Sequence, residues 1–391
     1  MRPRKALAVA QRNLRWRKLL FGSLGALALA FSALAYLSTD HLRSFGAGFD
    51  ADEMRRSPHF VEGHFQNAAP TELWSVHASS GALKELLFGK QMRAPSCPLP
   101  VVTDGPARLR VPSRSGLRVT WLGHSTTLIE LDGVTVLTDP MWSERSSPSP
   151  LVGPKRFHPP PIAIADLPHL DAVIVSHEHF DHLDMASIQA LAARKVPFYV
   201  PLGVAAHLRA WGVPAAHVHE LDWWERAPLT ADVALMSTPA RHFNGRGFPG
   251  REGTFWTSWS LLGPKHRVFF SGDTGLSDGF REVAQRAGPF DLALLEIGQY
   301  HPSWGQIHLG PDGALSAHQM LGAKILLPIH WATFQLGMHD WNEPPETLVR
   351  AAAKSKVTVV TPRLGEPIEP TERPDTPAWW RAYPPIAKAC P

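Results

Sequence analysis

The feature that most constrains this chain is a cluster of metal-capable side chains directly after an apolar run. Residues 176–184 read Ser-His-Glu-His-Phe-Asp-His-Leu-Asp and follow Ala172-Val-Ile-Val175. A short apolar run of β-type residues predicts a buried strand, so the cluster is expected in a loop at the end of that strand. Its metal-capable residues are His177, His179, Asp181 and His182. Imidazole nitrogens and carboxylate oxygens suit zinc, and this pattern favours a metal site over a solvated polar loop.

Three more metal-capable residues follow apolar runs of the same kind, namely His242, Asp273 and His330. Taken singly, a histidine after a strand is more often a core or surface residue, and an aspartate before Thr-Gly suits a turn. Together with the loop they supply enough ligands for two ions, as in two-metal hydrolytic sites. The expected grouping is His177, His179 and His242 for one ion, Asp181, His182 and His330 for the other, and Asp273 for both.

The His-x-His-x-Asp-His loop with a later His, Asp and His resembles the metallo-β-lactamase superfamily. Over roughly residues 60–350 the chain more closely resembles the N-acylphosphatidylethanolamine-hydrolysing phospholipase D family. This resemblance includes segments without a metal ligand, such as Asp222-Trp-Trp-Glu225 and Gly153-Pro-Lys-Arg-Phe157. It implies an α/β fold of the metallo-β-lactamase type, an αβ/βα four-layer sandwich. It also implies two zinc ions and hydrolysis of a phosphodiester in a lipid headgroup.

Compared position by position, the same resemblance implies the seven ligands named above and aligns His308 with a family histidine near the scissile phosphate. We expect His308 and Asp181 to serve in catalysis. His124 and Asp139 also end predicted strands. Because carboxylates and similar groups commonly orient metal-bound imidazoles, both are expected to support the ligands, although Asp139 before Pro140 also suits a turn.

Three charged residues are weaker candidates. Arg241 and Arg246 lie in a glycine-rich loop and could meet a phosphate, although a solvated loop explains each of them alone. Glu296 interrupts the apolar run Leu292-Ala-Leu-Leu-Glu-Ile297. A buried carboxylate near the metals and an ordinary charge at a strand end are both consistent with its position.

The N-terminus predicts a membrane anchor. Residues 1–18 hold seven basic side chains and no acidic one, and residues 19–37 carry no charge. The length of the second segment favours a transmembrane helix over the shorter apolar core of a signal peptide. Ala33-Leu-Ala35 resembles a cleavage site, so a cleaved signal peptide remains the alternative to an anchor. Positive charge before the span predicts a body on the non-cytoplasmic side, which in a bacterium is the periplasm; a cleaved chain would be periplasmic or secreted.

Charge and cysteine content narrow the partners. Without residues 1–18 the chain has 32 basic and 35 acidic side chains, so it lacks the basic surface that nucleic-acid binding requires. The expected partners are a phospholipid or other phosphodiester substrate and the membrane, and homodimer formation stays open. The two cysteines, Cys97 and Cys390, are far apart in sequence and lack metal-ligand spacing, and the sequence does not show whether they form a disulfide.

The body is expected to consist of three parts. Residues 38–115 form a Pro-rich lead-in packed on the body, with a helix near residues 72–87. Residues 116–362 form the catalytic domain, and residues 363–391 form a Pro-rich tail without a clear element. The helices predicted in the catalytic domain are Met185–Arg194, Val204–Trp211, Ser277–Arg286, Pro311–Leu321 and Pro345–Ala353.

The leading functional hypothesis is a dinuclear zinc phosphodiesterase of the phospholipase D type, which releases phosphatidic acid and N-acylethanolamine. One alternative keeps the metals and changes the substrate to a lactone or another ester. A second alternative is a membrane-anchored, non-catalytic binding protein on the same fold. A loss of ligands would indicate the binding protein, and no ligand is missing from the sequence.

Overall fold

The computed structural model describes residues 42–75, 81–82, 84–85, 88–246, 253–372 and 375–383. The basic segment 1–18 and the predicted anchor 19–37 lie outside these residues. Within the described part of the chain, no helix combines the length and the apolar character that crossing a bilayer demands. The chain divides into the units Met1–Phe45 and Gly46–Pro391, and the description below concerns the second unit.

Two mixed sheets organise the described residues. The strands are β1 (Phe60–Val61), β2 (His64–Phe65), β3 (Leu117–Gly123), β4 (Thr126–Leu131), β5 (Val134–Thr138), β6 (Ala172–Ile174), β7 (Phe198–Pro201), β8 (Val218–Leu221), β9 (Arg226–Pro228), β10 (Ala234–Thr238), β11 (Ser258–Leu262), β12 (Arg267–Phe270), β13 (Leu292–Glu296), β14 (Ile325–Ile329), β15 (Thr358–Val359) and β16 (Pro367–Ile368). One sheet has the order β16-β3-β4-β5-β6-β7-β8, and the other has the order β15-β14-β13-β12-β11-β10-β9. Strands β1 and β2 form a separate hairpin.

Helices cover the sheets. Those whose residues are all described are α1 (Ala51–Met54), α2 (Gly105–Leu109), α3 (Met185–Ala192), α4 (Ala205–Ala210), α5 (Gly279–Ala287), α6 (Gly310–Leu321) and α7 (Glu343–Ser355). The five helices predicted in the catalytic domain are confirmed as α3 to α7, with ends shifted by a few residues. Helix α3 begins where the Asp184 side chain accepts a hydrogen bond from the Ser187 amide. Helix α6 ends at Gly322, whose φ of 61° is a left-handed conformation that glycine adopts without strain.

Two apolar clusters define the layers. The larger cluster joins Trp121 of the first sheet to Trp259 and Leu294 of the second, and it continues to Val283 of α5. The other cluster packs Ile188 of α3 and residues of α4 against the outer face of the first sheet. The order of layers is therefore helix, sheet, sheet, helix, which confirms the α/β fold class.

Strand direction brings the site residues to one edge. Strands β5 and β6 are parallel, as are β12, β13 and β14. Strand β3 runs with β5, and β10 runs with β12, because two antiparallel steps separate each pair. The loops that leave the carboxyl ends of these strands carry the candidate ligands, as expected for function placed on a rigid sheet.

The prediction that residues 363–391 form a tail without a clear element is wrong. Strand β16 pairs with β3 at the edge of the first sheet, where Pro367 is tolerated because an edge strand does not need every N–H. Beyond it, Trp379 and Trp380 are buried in the main apolar cluster. The first sheet therefore extends past residue 362, the boundary that sequence reasoning set for the catalytic domain.

Part of the lead-in forms regular secondary structure that packs on the body. Met54 of α1 and both phenylalanines of the β1–β2 hairpin pack against Trp223, Phe255 and Trp256 in a third apolar cluster. Residues 72–75 are not helical, whereas the described residues between 81 and 88 are helical. The predicted helix near residues 72–87 therefore begins later than expected.

Truncation of the buried tail tests its place in the core. Trp380 is 1% exposed, and its ring centroid lies 5.4 Å from that of Trp331. We expect Trp380→Ala to lower the free energy of unfolding by about 3–5 kcal/mol, because the neighbours cannot fill the cavity. Urea unfolding followed by circular dichroism measures the change. The exposed Leu151→Ala variant is the control, with an expected change below about 0.5 kcal/mol; an equally small change for Trp380→Ala would contradict this packing.

Candidate metal centre

The His177–His182 loop turns tightly after strand β6. The His182 and Leu183 amides both donate to the His179 carbonyl, at 3.0 and 2.9 Å, and the chain then enters α3 at Asp184. His177 and His182 are buried, whereas His179 and Asp181 keep partial exposure. The local hydrogen bonds thus place four metal-capable side chains within one turn of the chain.

The first ligand group consists of His177, His179 and His242. His177 Nε2 lies 2.8 Å from His179 Nδ1, and His242 Nε2 lies 3.2 Å from the same atom. Burial lowers the pKa of His177 and His242 well below the usual histidine value, which favours neutral imidazoles. Neutral imidazole is the form that binds a metal ion.

The second ligand group contains Asp181, His182, His330 and also His124. Asp181 Oδ2 lies 2.8 Å from His124 Nε2 and 3.4 Å from His182 Nε2. The hydrogen bond to Asp181 agrees with the supporting position expected for His124, and one of its nitrogens also lies within 4.8 Å of the ligand atoms of this group. The bulge at the end of β3 and the left-handed φ of 53° at His124 turn its ring into the site.

Asp273 lies between the two groups. Its Oδ2 is 3.2 Å from His182 Nε2 and 3.9 Å from His177 Nε2, and its Oδ1 is 3.2 Å from His330 Nδ1. Burial opposes a charged carboxylate, but the surrounding imidazoles outweigh it and hold the pKa of Asp273 well below its usual range. A carboxylate in this position can contribute one oxygen to each group.

Unpartnered polar atoms test whether the residues fit a metal. The described residues include buried, hydrogen-bond-free atoms at His124 Nδ1, His182 Nε2 and Asp273 Oδ1. Burial opposes the protonation of His182, but Asp273 and Asp181 outweigh it and raise its pKa well above the usual value. Bound cations would satisfy these unpartnered atoms and compensate the negative charge of Asp273 and Asp181. The donor set therefore fits divalent metal ions.

Asp139 orients His182. Its Oδ2 accepts hydrogen bonds from His182 Nδ1 at 2.7 Å and from the Ser176 hydroxyl group, and its Oδ1 accepts one from the Ser176 amide. This carboxylate fixes which imidazole nitrogen of His182 faces the site. The structure therefore places Asp139 where sequence reasoning expected it, next to a ligand rather than in a plain turn.

Glu296 and His308 form a pair beside the two groups. Glu296 is fully buried, and its Oε2 accepts a hydrogen bond from His308 Nδ1 at 2.8 Å. Burial raises the pKa of the Glu296 carboxyl. For His308, burial is outweighed by the Glu296 charge, which raises the pKa of the imidazole. The charged residue within an apolar run was the sequence signal for this pair, but the sequence left its meaning open.

The lead-in contributes a residue that sequence reasoning missed. The Asn67 amide group donates to the His242 carbonyl at 2.8 Å, and its oxygen accepts from the His242 amide at 3.0 Å. An open cavity of about 650 Å³ lies beside this contact, and His242, Phe65, Leu73 and Phe243 are among its lining residues. Nothing in the local sequence around Asn67 indicates this contact.

The two candidate arginines have different surroundings. Arg246 is buried, donates to the Glu178 carbonyl, and lies 4.1 Å from the Phe180 ring centroid and 4.9 Å from that of Trp211. These contacts support the ligand loop from behind, which corrects the expectation of a phosphate contact. Arg241 donates to the Pro70 and Leu276 carbonyls and to the side chains of Thr71 and Gln306, so it joins the lead-in to the body.

Comparison with known proteins agrees with this geometry. A family model described as a beta-lactamase superfamily domain matches residues 134–331. An uncharacterized protein of Mycobacterium tuberculosis is 43% identical over 344 residues, which cover 85% of this chain and 91% of that protein. The N-acyl-phosphatidylethanolamine-hydrolyzing phospholipase D 1 of Caenorhabditis elegans is 35% identical over 277 residues, 67% of this chain and 78% of that protein.

A solved structure supports the fold. The structure of a metallo hydrolase from the archaeon Ignicoccus hospitalis matches with a TM-score of 0.50 and 22% identity, over 64% of this chain and 97% of that chain. The family model, the sequence relatives and the clustered ligands agree with one another. The chain therefore belongs to the beta-lactamase superfamily of metal-dependent hydrolases and is a homologue of proteins named N-acylphosphatidylethanolamine-hydrolysing phospholipase D.

Proposed function

We propose that this protein is a dinuclear zinc phosphodiesterase that hydrolyses N-acylphosphatidylethanolamine-type phospholipids to phosphatidic acid and an N-acylethanolamine. The observation that carries the proposal is the pair of buried ligand groups that meet at Asp273, with His308 beside them. The 35% identity to the Caenorhabditis elegans protein supports the substrate class.

The donor set supports zinc in both positions, since imidazole nitrogen and carboxylate oxygen are its common ligands outside thiolate sites. When bound, two such ions would lower the pKa of a water molecule towards neutrality and withdraw charge from the phosphoryl oxygens. The residues that would hold the first ion are His177, His179, His242 and Asp273. Those that would hold the second are Asp181, His182, His330 and Asp273, with His124 hydrogen-bonded to Asp181.

The remaining residues of the site suit a lipid phosphodiester. His308 keeps 12% of its side-chain exposure and lies next to His330 and His242, so a phosphate seated at the ligand groups would meet its ring. The neighbouring cavity has an apolar part around Phe65, Leu73 and Phe243, which can take up part of an acyl chain.

A membrane location is part of the proposal. The basic segment 1–18 and the uncharged segment 19–37 support an N-terminal anchor with the catalytic body on the non-cytoplasmic side. Leu73, which lines the cavity, and Trp74 are 44% and 53% exposed. Exposed apolar residues beside the cavity would favour contact with a lipid surface, where the substrate is found.

Metal content and substrate choice test the proposal directly. We expect protein purified from its host to contain two zinc ions per chain and to hydrolyse both N-acylphosphatidylethanolamine and bis(p-nitrophenyl) phosphate. Asp273→Ala and His330→Ala should lower kcat/KM by more than about 100-fold, since even supporting residues of a metal site contribute 10–100-fold. Metal analysis by mass spectrometry and product analysis by chromatography give the readouts.

Exposed residues of the same types supply the controls. Asp232→Ala and His169→Ala should retain the metal and the activity, because both side chains lie on the surface. Turnover of an acyl lactone without turnover of either phosphodiester would reject the phosphodiesterase and favour a lactone hydrolase. A protein without bound metal, or with activity that survives both ligand substitutions, would reject the metal-dependent site itself.

Asp139→Asn tests the orientation of His182. Asparagine can still accept from the Ser176 amide, but its NH₂ group would meet the N–H of His182 where the carboxylate now accepts it. We expect the affinity for one of the two ions to fall about 10–100-fold while the other is retained. Competition with a chelator measures both affinities, and exposed Asp166→Asn is the matched control. Unchanged affinities would show that His182 is oriented without Asp139.

A further inference from the structure

The carboxylate of Glu296 is held by several hydrogen bonds beside the ligand groups. It stands at the end of β13, is fully buried, and accepts three hydrogen bonds. The amides of Thr274 and Leu309 both donate to Oε1, at 2.9 and 3.1 Å, and His308 Nδ1 donates to Oε2. A buried carboxylate is costly unless its oxygens are satisfied, so this arrangement leaves Glu296 with one defined geometry.

His308 is fixed from two sides. Its Nδ1 is held by Glu296, and the adjoining carbonyl of Ile307 accepts a hydrogen bond from His242 Nδ1 at 3.0 Å. Its ring stacks on that of His330, with centroids 5.7 Å apart and planes 20° apart. Because Nδ1 is occupied, Nε2 is the nitrogen of His308 that remains for a substrate bound at the ligand groups.

We infer that Glu296 is a positioning residue that holds His308 with its Nδ1–H on the carboxylate, so that Nε2 delivers a proton to the leaving oxygen of the substrate. This inference rests on the proposed phosphodiesterase function. A buried carboxylate that orients a histidine favours proton transfer, because the imidazole must lie within hydrogen-bond reach of the oxygen that it protonates.

The proton transfer balances as follows. The oxygen of a water molecule forms a bond to phosphorus, and the bond between phosphorus and the alcohol oxygen breaks with its electron pair on that oxygen. The proton on Nε2 moves to this oxygen and yields the alcohol, while Nδ1–H stays on Glu296. The attacking water loses one proton to the solvent, and the solvent returns one proton to Nε2.

Glu296→Gln separates this task from a structural one. A glutamine oxygen in the position of Oε1 can keep both backbone hydrogen bonds, while its NH₂ group replaces the oxygen that His308 now contacts. His308 Nδ1 must then accept instead of donate. The variant is therefore expected to fold like the wild type while its His308 is a neutral imidazole with its single proton on Nε2, a much weaker acid than the doubly protonated ring beside Glu296.

The experiment compares two lipids that differ in one atom. One is N-acylphosphatidylethanolamine in mixed micelles, and the other carries sulfur in place of the scissile bridging oxygen. A thiolate leaves without protonation, so only the oxygen substrate needs the proton of His308. We expect Glu296→Gln and His308→Gln, in the full-length metal-loaded protein, to lower kcat on the oxygen lipid by about 10²–10⁴-fold. On the sulfur lipid the loss should stay below about tenfold.

Two readouts are independent of activity. In ¹⁵N NMR of the histidine rings, the wild type should show a protonated Nδ1 at His308, and Glu296→Gln should show an unprotonated one. Both proteins should bind the same amount of zinc. The half-exposed Glu282→Gln variant on α5 is the control and should match the wild type in every measurement.

Equal losses on the two lipids, or a His308 Nδ1 that stays protonated in Glu296→Gln, would overturn the inference. A lower zinc content in Glu296→Gln would overturn it too, because Glu296 would then act as a ligand, as its closeness to Asp273 and His330 also allows. Failure of the proposed function gives a different result, in which the wild type cleaves neither lipid. The NMR measurement decides the orientation of His308 in that case as well.

Discussion

The contact of the buried Asp273 carboxylate with histidines from both sheets is the interaction on which the site depends. His177 and His182 follow β6 of the first sheet, whereas His330 follows β14 of the second. A buried charge costs several kcal/mol unless it is compensated, so the sheet edges can meet here only with opposite charge between them. The imidazoles supply part of this compensation, and divalent cations would supply the rest. Charge compensation at Asp273 therefore adds to the apolar cluster that joins the two sheets.

Hydrogen bonds on the side of the His177–His182 loop that faces away from the ligand groups hold the conformation of this loop. Glu178 points away from the metal side and accepts hydrogen bonds from the Gly245 and Arg246 amides and from His207 Nε2. Burial alone would raise the pKa of Glu178, but the bond from His207 outweighs it and lowers the pKa. Together with the clamp of Asn67 on His242, these bonds make the lead-in and the 244–246 loop part of the site's support.

Elements with a strong local pattern were predictable. Strands β5 and β14 begin and end where their apolar runs do, and α6 differs by one residue from the segment expected between Pro311 and Leu321. The two-residue strand β16 was not predictable, because two residues show no periodicity. The burial of Trp379 and Trp380 was missed for a related reason, since a proline-rich context predicts irregular backbone but does not say what that backbone packs against.

The sequence by itself determined the ligand loop, the recurrence of ligands after apolar strands, and the membership of a metal-dependent hydrolase superfamily. Tertiary structure decided that His124 contacts Asp181, that Arg246 is buried against Glu178, and that Glu296 holds His308. The physical reason is that hydrophobic periodicity, turn residues and helix capping each depend on a few residues that are neighbours in sequence. A hydrogen bond of about 2.8 Å between distant segments depends on how strands and helices pack, and no local pattern encodes that distance.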